Sequence, residues 1–470
     1  MTKLSIATAL VLGTCLFAQA ADDLASAFKE GKLDGRLRAQ YFNTDWDNNG
    51  ATGKNGPDAN GLAVGGSLVY KTAPLYGFSA GAGLYTTQNP GGWTDANDGV
   101  TATTSKDLFL RDVTRPSGAP VSAIYGNGYA VLAQAYLQYD IAKTKAKAGR
   151  MLMSNPWISP NDTKMIPIAV EGYEVVSTDL LNTTLQLDYA NKIKERGMTY
   201  FGSMADTGDT PDKIAAYYST HYGTTQGKHG DAPGVAILGI KNKSIDNLEL
   251  QGWGMHWNDI VDQAALEANY ALEAGDAILS FGGRYIIQKD KGAGNIILPK
   301  TNNFDGDNSV DTSLFALRTA LNYRAAKLTL ATSHTASSGD LIAPWRGFPT
   351  DGYTRSMTQT DWNANTRAYK AQLDYDFSAL VSGVSTIFSY SYYDRDPSKK
   401  PYQSMTDRAF QNGDTRQWNL DVLYKLSGNW KGTEFKARFM DQSNETTTLT
   451  ATTLKDTSNR EMRLEANYYF

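Results

Sequence analysis

The stretch NREMRLEANYYF, residues Asn459–Phe470, alternates strictly at period two. One set of positions holds Met462, Leu464, Ala466, Tyr468 and Phe470; the other holds Glu461, Arg463, Glu465, Asn467 and Tyr469. Successive side chains of a β-strand point to opposite faces, so this strand presents one apolar and one charged face. A soluble sandwich also alternates, but its polar face meets bulk water and its chain rarely stops on an aromatic at a strand end.

The pattern recurs outward from that stretch. Leu33, Leu37, Ala39 and Tyr41 oppose Asp34, Arg36, Arg38 and Gln40, and Tyr369, Leu373, Tyr375 and Phe377 oppose Lys370, Gln372, Asp374 and Asp376. Trp418, Leu420, Val422 and Tyr424 oppose Gln417, Asn419, Asp421 and Lys425. Aromatics fall near strand ends (Tyr41, Tyr70, Tyr139, Tyr323, Phe377, Tyr392), where a membrane-interface girdle needs them. A terminal strand ending Tyr-Tyr-Phe looks like the signature last strand of bacterial outer-membrane barrels. Eight short turns, from Ala73–Tyr76 to Ser427–Gly432, alternate with nine connections that are mostly long and polar, among them Gln88–Asn127, Met153–Ile168, Arg196–Ala232 and Ser337–Asn365. The expectation is an all-β transmembrane antiparallel barrel of about 18 strands, with 16 as the alternative. A propeller would show an internal repeat, and none is present.

Composition agrees. The 470 residues include 27 Tyr against 16 Phe and 9 Trp, and the formal charge is −4 from 45 basic and 49 acidic residues. Near-balance without a basic cluster gives no case for nucleic-acid binding. Residues 1–20 read as a cleaved secretory signal: Lys3, an apolar run from Leu4 to Phe17, then Ala18-Gln19-Ala20. The only cysteine, Cys15, would leave with it, so neither a disulfide nor a thiolate metal site is expected. Residues 21–470 then form one outer-membrane barrel domain. Its expected partners are outer-membrane lipid, lipopolysaccharide and solutes in the channel, and it is a monomer or homotrimer.

The third long connection lies within KTKAKAGRMLMSNPWISPNDTKMIPIAVEGYEVVSTDL, Lys143–Leu180. Pro156, Pro160 and Pro167 bar it from a sheet ladder, yet it carries Met151, Met153, Trp157, Ile158, Met165 and Ile166. An apolar, proline-broken loop packs against something, and here it is expected to fold into the barrel mouth and narrow it. Gly149-Arg150, Asn155-Pro156, Asn161-Asp162-x-Lys164-x-x-Pro167 and Glu171-Gly172-Tyr173, with Gly35-Arg36-Leu37-Arg38 in the first strand, resemble the OprD family of substrate-specific porins. The resemblance implies an eighteen-stranded barrel, an infolded third loop and a ladder of bases on one lumen wall, passing amino acids, peptides or carboxylates. It also implies that Arg36, Arg38 and Arg150 belong to that ladder and that Lys164 takes the loop's basic position. Lys there, where the family usually has Arg, keeps the charge but loses the planar fork.

A barrel this wide holds an aqueous channel whose selectivity comes from its lining. Parity places Arg36, Arg38, Lys145, Lys147, Arg284, Arg318, Lys370, Lys436, Arg438 and Arg463 in the lumen, with Glu267, Asp374, Asp421, Glu461 and Glu465 as acids. The same parity turns Arg150 toward lipid unless Gly149 forms a bulge. A basic strip facing acids would favour anionic or zwitterionic solutes. The competing reading is a plugged surface barrel whose long loops bind a partner. The scattered His221, His229, His256 and His334 lack ligand spacing, and Asp305–Asp311 lacks the Gly and Glu of a calcium loop. No cofactor and no enzymatic activity are expected.

Overall fold

Every alternating run becomes a strand. The structure, a computed structural model, describes residues 21–47, 59–91, 108–110, 128–205, 224–225, 228–229, 234–293, 309–342, 345, 352–357, 362–396, 399, 413–444 and 458–470. The secretory segment 1–20, His221, most of Gln88–Asn127 and residues 305–308 of the calcium-like run lie outside the described residues.

The strands are β1 (Lys32–Trp46), β2 (Ala59–Lys71), β3 (Phe78–Gln88), β4 (Tyr129–Ile141), β5 (Thr144–Met151), β6 (Ala169–Ser177), β7 (Thr183–Lys194), β8 (Val235–Ile245) and β9 (Leu248–Trp257). They continue as β10 (Val261–Ala274), β11 (Ala277–Asp290), β12 (Thr312–Tyr323), β13 (Ala326–Thr335), β14 (Arg367–Asp376), β15 (Val384–Asp394), β16 (Thr415–Lys425), β17 (Thr433–Asn444) and β18 (Asn459–Tyr469). Each pairs antiparallel with its neighbours. β18 returns to β1 through Arg36↔Tyr469 to Trp46↔Asn459, so the eighteen strands close. Gly35 N–H donates to the Phe470 carbonyl at 2.7 Å, and Phe470 N–H donates back at 3.0 Å. Closure leaves no sheet edge, which hydrocarbon would otherwise penalise.

The short turns fall where the sequence placed them. The two-residue turns after β4, β8 and β12 use residues with positive φ: Ala142 (49°), Asn247 (63°) and Arg324 (51°). Such turns match the twist of the flanking strands. They mark the end at which both chain termini of the barrel lie. At that end a short helix, α1 (Leu24–Lys29), was not anticipated from the sequence. Its N-cap Asp23 accepts from Ser26 N–H at 2.7 Å, and Ala27 packs with Ala21 and Ala73 under the rim.

The two faces separate as alternation requires. Leu37, Leu137, Leu187, Leu238, Leu266 and Leu330 are exposed on the outer face, while Arg38, Gln138, Asp188, Gln263 and Ser333 are buried inside. Outer aromatics form two belts. Phe78–Tyr139 (4.5 Å between ring centroids) and Tyr468–Phe470 (5.8 Å) lie toward the turns, while Tyr173–Tyr189 (6.5 Å) and Tyr369–Tyr392 (6.4 Å) lie toward the loops.

Candidate functional site

The lumen holds the candidate site, and two loops fold into it. Loop 3 (residues 152–168) crosses from one wall to the other. On one side its Trp157 indole N–H donates to Gln263 on β10. On the other, Asp162 takes Arg36 and Arg38 of β1, at 2.8 Å for Arg38 Nη1. In a closed ring of eighteen strands, β1 and β10 are nine apart, so the loop bridges opposite walls. Its apolar residues divide accordingly. Trp157 and Ile158 join a core with Trp257, Ile260 and Trp345, while Met165 and Ile166 join Phe42, Tyr85 and Tyr129. The infolded third loop expected from the prolines is therefore present, and each end is tied down by its own hydrophobic cluster.

A second infolded loop, described at residues 336–342, 345, 352–357 and 362–366, was not anticipated. Leu341, Ile342 and Trp345 are buried, Gln263 Nε2 donates to the Ile342 carbonyl at 2.8 Å, and Trp345 Nε1 donates to the Met204 carbonyl at 2.9 Å. Tyr353 reaches further in: its hydroxyl donates to Glu267 at 3.0 Å, and the Arg284 and Arg318 guanidiniums lie 4.5 and 4.4 Å from its ring centre. Burial, and next the Glu267 carboxylate, push the Tyr353 phenol up, which keeps it a donor.

The charged residues sort by wall. On β17, β18 and β1 cross-strand register builds successive rows: Arg438↔Arg463, then Lys436↔Glu465↔Gln40, then Asn467↔Arg38, then Tyr469↔Arg36. Five bases thus climb one wall, about 7 Å along the strand between rows. Acids interleave. Arg438 Nε meets Asp421 at 2.9 Å, Arg38 Nη2 meets Glu465 at 2.8 Å, and Arg463 pairs with Glu461. Lys436 forms no ion pair within 4 Å among the described residues. On the far wall Arg284 pairs with Glu267 at 2.6 Å, and Arg318 donates to Asn269 at 2.7 Å. Lys147 pairs with Glu174 at 2.9 Å, Lys370 donates to the Arg355 carbonyl at 2.9 Å, and Asp374 accepts from Gln372 at 3.0 Å. Lys145 opposes Asp140 across β4–β5, so it shares the inner face.

Two expectations are corrected. Lys164 does belong to loop 3, but it is only 6% exposed, and its ammonium sits 3.3 Å from the centre of the Phe42 ring. It is a cation held against an aromatic of the wall, not a group open to solute. Arg150 does not line the channel. Gly149 has φ 122°, yet pairing runs unshifted through Ala148↔Leu137, Gly149↔Tyr136 and Arg150↔Ala135. Without an extra residue the alternation is not reset, and Arg150 shares the outer face with Ala135 and Leu137.

The sequence of residues 121–470 matches the family model described as outer membrane porin, OprD family. The chain belongs to the OprD family of outer-membrane porins. It is a porin of the outer membrane, a channel for small solutes. Solved structures share its fold. Those of OpdK with vanillate and of OccK9 (OpdG), both from Pseudomonas aeruginosa, are 15% and 16% identical with TM-scores of 0.70 and 0.72; this porin covers 99% of each, over 94% and 95% of its own length. OccAB3 from Acinetobacter baumannii is 16% identical with a TM-score of 0.72, over 94% of this porin and 99% of OccAB3. No curated protein sequence matches.

Proposed function

We propose that this porin passes small anionic or zwitterionic solutes, carboxylates above all, by diffusion along the β17–β18–β1 wall. The observation that carries this reading is the ladder of Lys436, Arg438, Arg463, Arg38 and Arg36 on three adjacent strands, next to the point where loop 3 narrows the lumen. Asp162 supports it as an internal stand-in. Its carboxylate takes Arg36 through both terminal nitrogens and Arg38 through one, the bidentate geometry that a guanidinium offers any carboxylate. With those two bases taken by the loop, Lys436, and Arg438 through the terminal nitrogens that its Nε pairing with Asp421 leaves over, are the steps open to a passing solute. The fold-mate OpdK was solved with vanillate, an aromatic carboxylate, which agrees with the chemistry of this wall.

Proteoliposome swelling tests it. Vanillate should enter faster than an aromatic ammonium of similar size. Lys436→Gln with Arg438→Gln should slow vanillate several-fold and leave an uncharged sugar unaffected. Equal rates for vanillate and the ammonium, or a double variant that passes vanillate at the wild-type rate, would refute the reading.

A further inference from the structure

Arg150, displaced from the channel by its register, belongs to an outward-facing cluster that the pore does not use. Arg150 on β5 opposes Glu171 on β6, which opposes Lys192 on β7, so all three share the outer face. Arg150 Nε meets Glu171 at 3.2 Å and Lys192 Nζ meets it at 3.6 Å, with the two bases each about two-fifths exposed. Two cations thus share one carboxylate. Arg150 commits only its Nε: its terminal nitrogens have no hydrogen bond among the described residues. The Phe201 ring, 4.5 Å from the guanidinium carbon, steadies its plane.

The level of the cluster decides what it can meet. Glu171 lies two residues beyond Tyr173, and Lys192 three beyond Tyr189, toward the long-loop end. Tyr173 and Tyr189 belong to the belt that marks the edge of the hydrocarbon. In barrels of this kind the longer loops face the exterior, so two residues of strand carry the charges about 7 Å past the belt, into the headgroup layer of the outer leaflet. Three other outward bases on this rim are matched or outnumbered. Lys289 pairs with Asp311 and Lys291 with Asp262, and Arg460 faces Asp45, Asp47 and Asp441. The Arg150 cluster carries an excess of one positive charge.

We propose that Arg150 and Lys192 form a binding site on the outer wall for a phosphate group of an outer-leaflet glycolipid. The free edge of the guanidinium takes two phosphate oxygens and the ammonium a third, while Glu171 holds the bases apart and in place. The site is separate from the channel and does not depend on which solute passes.

The test measures retention of diphosphoryl lipid A by the full-length barrel in detergent, using native mass spectrometry, with folding checked by heat-modifiable migration. Arg150→Ala with Lys192→Ala should weaken binding about tenfold or more. Glu171→Gln, which removes the competing carboxylate, should strengthen it; loss of a merely structural ion pair would not. Fully dephosphorylated lipid should bind wild type no better than it binds the double variant. Inorganic phosphate at millimolar concentration should not displace the lipid. Unchanged retention in the double variant, weaker retention in Glu171→Gln, equal binding of the dephosphorylated lipid, or displacement by inorganic phosphate would each overturn the proposal.

Discussion

Asp162 is the residue on which the proposed basic ladder turns, because its carboxylate occupies two of the ladder's five bases, Arg36 and Arg38. Asp162→Asn would release Arg36 and keep Arg38 on Glu465, 2.8 Å away. The anion-to-cation permeability ratio, read from the reversal potential in a salt gradient, should then rise about twofold or more. Arg38 is the opposite case, with a side chain only 2% exposed and two acids around it. Arg38→Ala strands Glu465 in the wall and should cost roughly 3 kcal/mol of stability in urea titration, by the cost of breaking a buried pair. Arg36 and Arg38 were readable from alternation alone. The role of Asp162 was not, because its partners lie more than a hundred residues away in sequence and only the loop's path brings them together. Lys164 takes a channel position only through the family resemblance, which implies a basic residue there. Nothing local reveals that the loop turns its ammonium onto Phe42.

At the scale of elements, turns and loops behave differently. The two-residue turns were legible because twist and length select their residues. One turn also carries a pH dependence. Asp179, between β6 and β7, accepts from Lys143 N–H at 2.9 Å and from the Thr144 and Ser177 hydroxyls, and these bonds hold its carboxyl below the usual carboxylate range. A depressed folded pKa means that the contribution is complete above the unfolded value and disappears as pH falls through the folded one. Amide-exchange protection at Lys143 should therefore hold at neutral pH and drop in acid, and in Asp179→Asn it should be low and independent of pH. Loop 3 was legible because prolines and apolar anchors alternate in a segment that cannot be strand. The loop at residues 336–366 carries a similar signal, Leu341-Ile342-Ala-Pro-Trp345, but within a longer run of Thr, Asp, Gly and Asn that reads as solvated. Trp345, 1% exposed and 5.0 Å from the Trp257 ring, anchors it. Trp345→Ala removes a buried indole, a change that costs about 3–5 kcal/mol in ordinary cores. Here it should free the loop, so that single-channel current becomes noisier and its mean rises.

For the whole molecule, the barrel was the most legible feature, because a period of two forces it. Once one face of each strand must meet hydrocarbon, eighteen alternating segments with short turns at one end have to close. The bulges at Gly83/Leu84 and Glu171/Gly172 were not legible, since the apolar alternation of the bulged strands (Val131, Ala133, Ala135, Leu137 in one, Leu187, Tyr189, Ile193 in the other) runs unbroken through the extra residue and reads as one regular strand. The path of the loops was not legible either: the outer wall is fixed by lipid, whereas the lumen is filled by contacts specific to this chain. The central claim is that these eighteen strands enclose a water-filled channel narrowed by a loop pinned across it, with a basic wall that selects for anions. Planar-bilayer recording of the purified, folded barrel tests this most directly. Discrete conductance steps are expected, with a reversal potential on the anion side that Lys436→Gln and Arg438→Gln together move toward the cation side. A correctly folded barrel that gives no steps, or steps whose reversal potential ignores both substitutions, would contradict it.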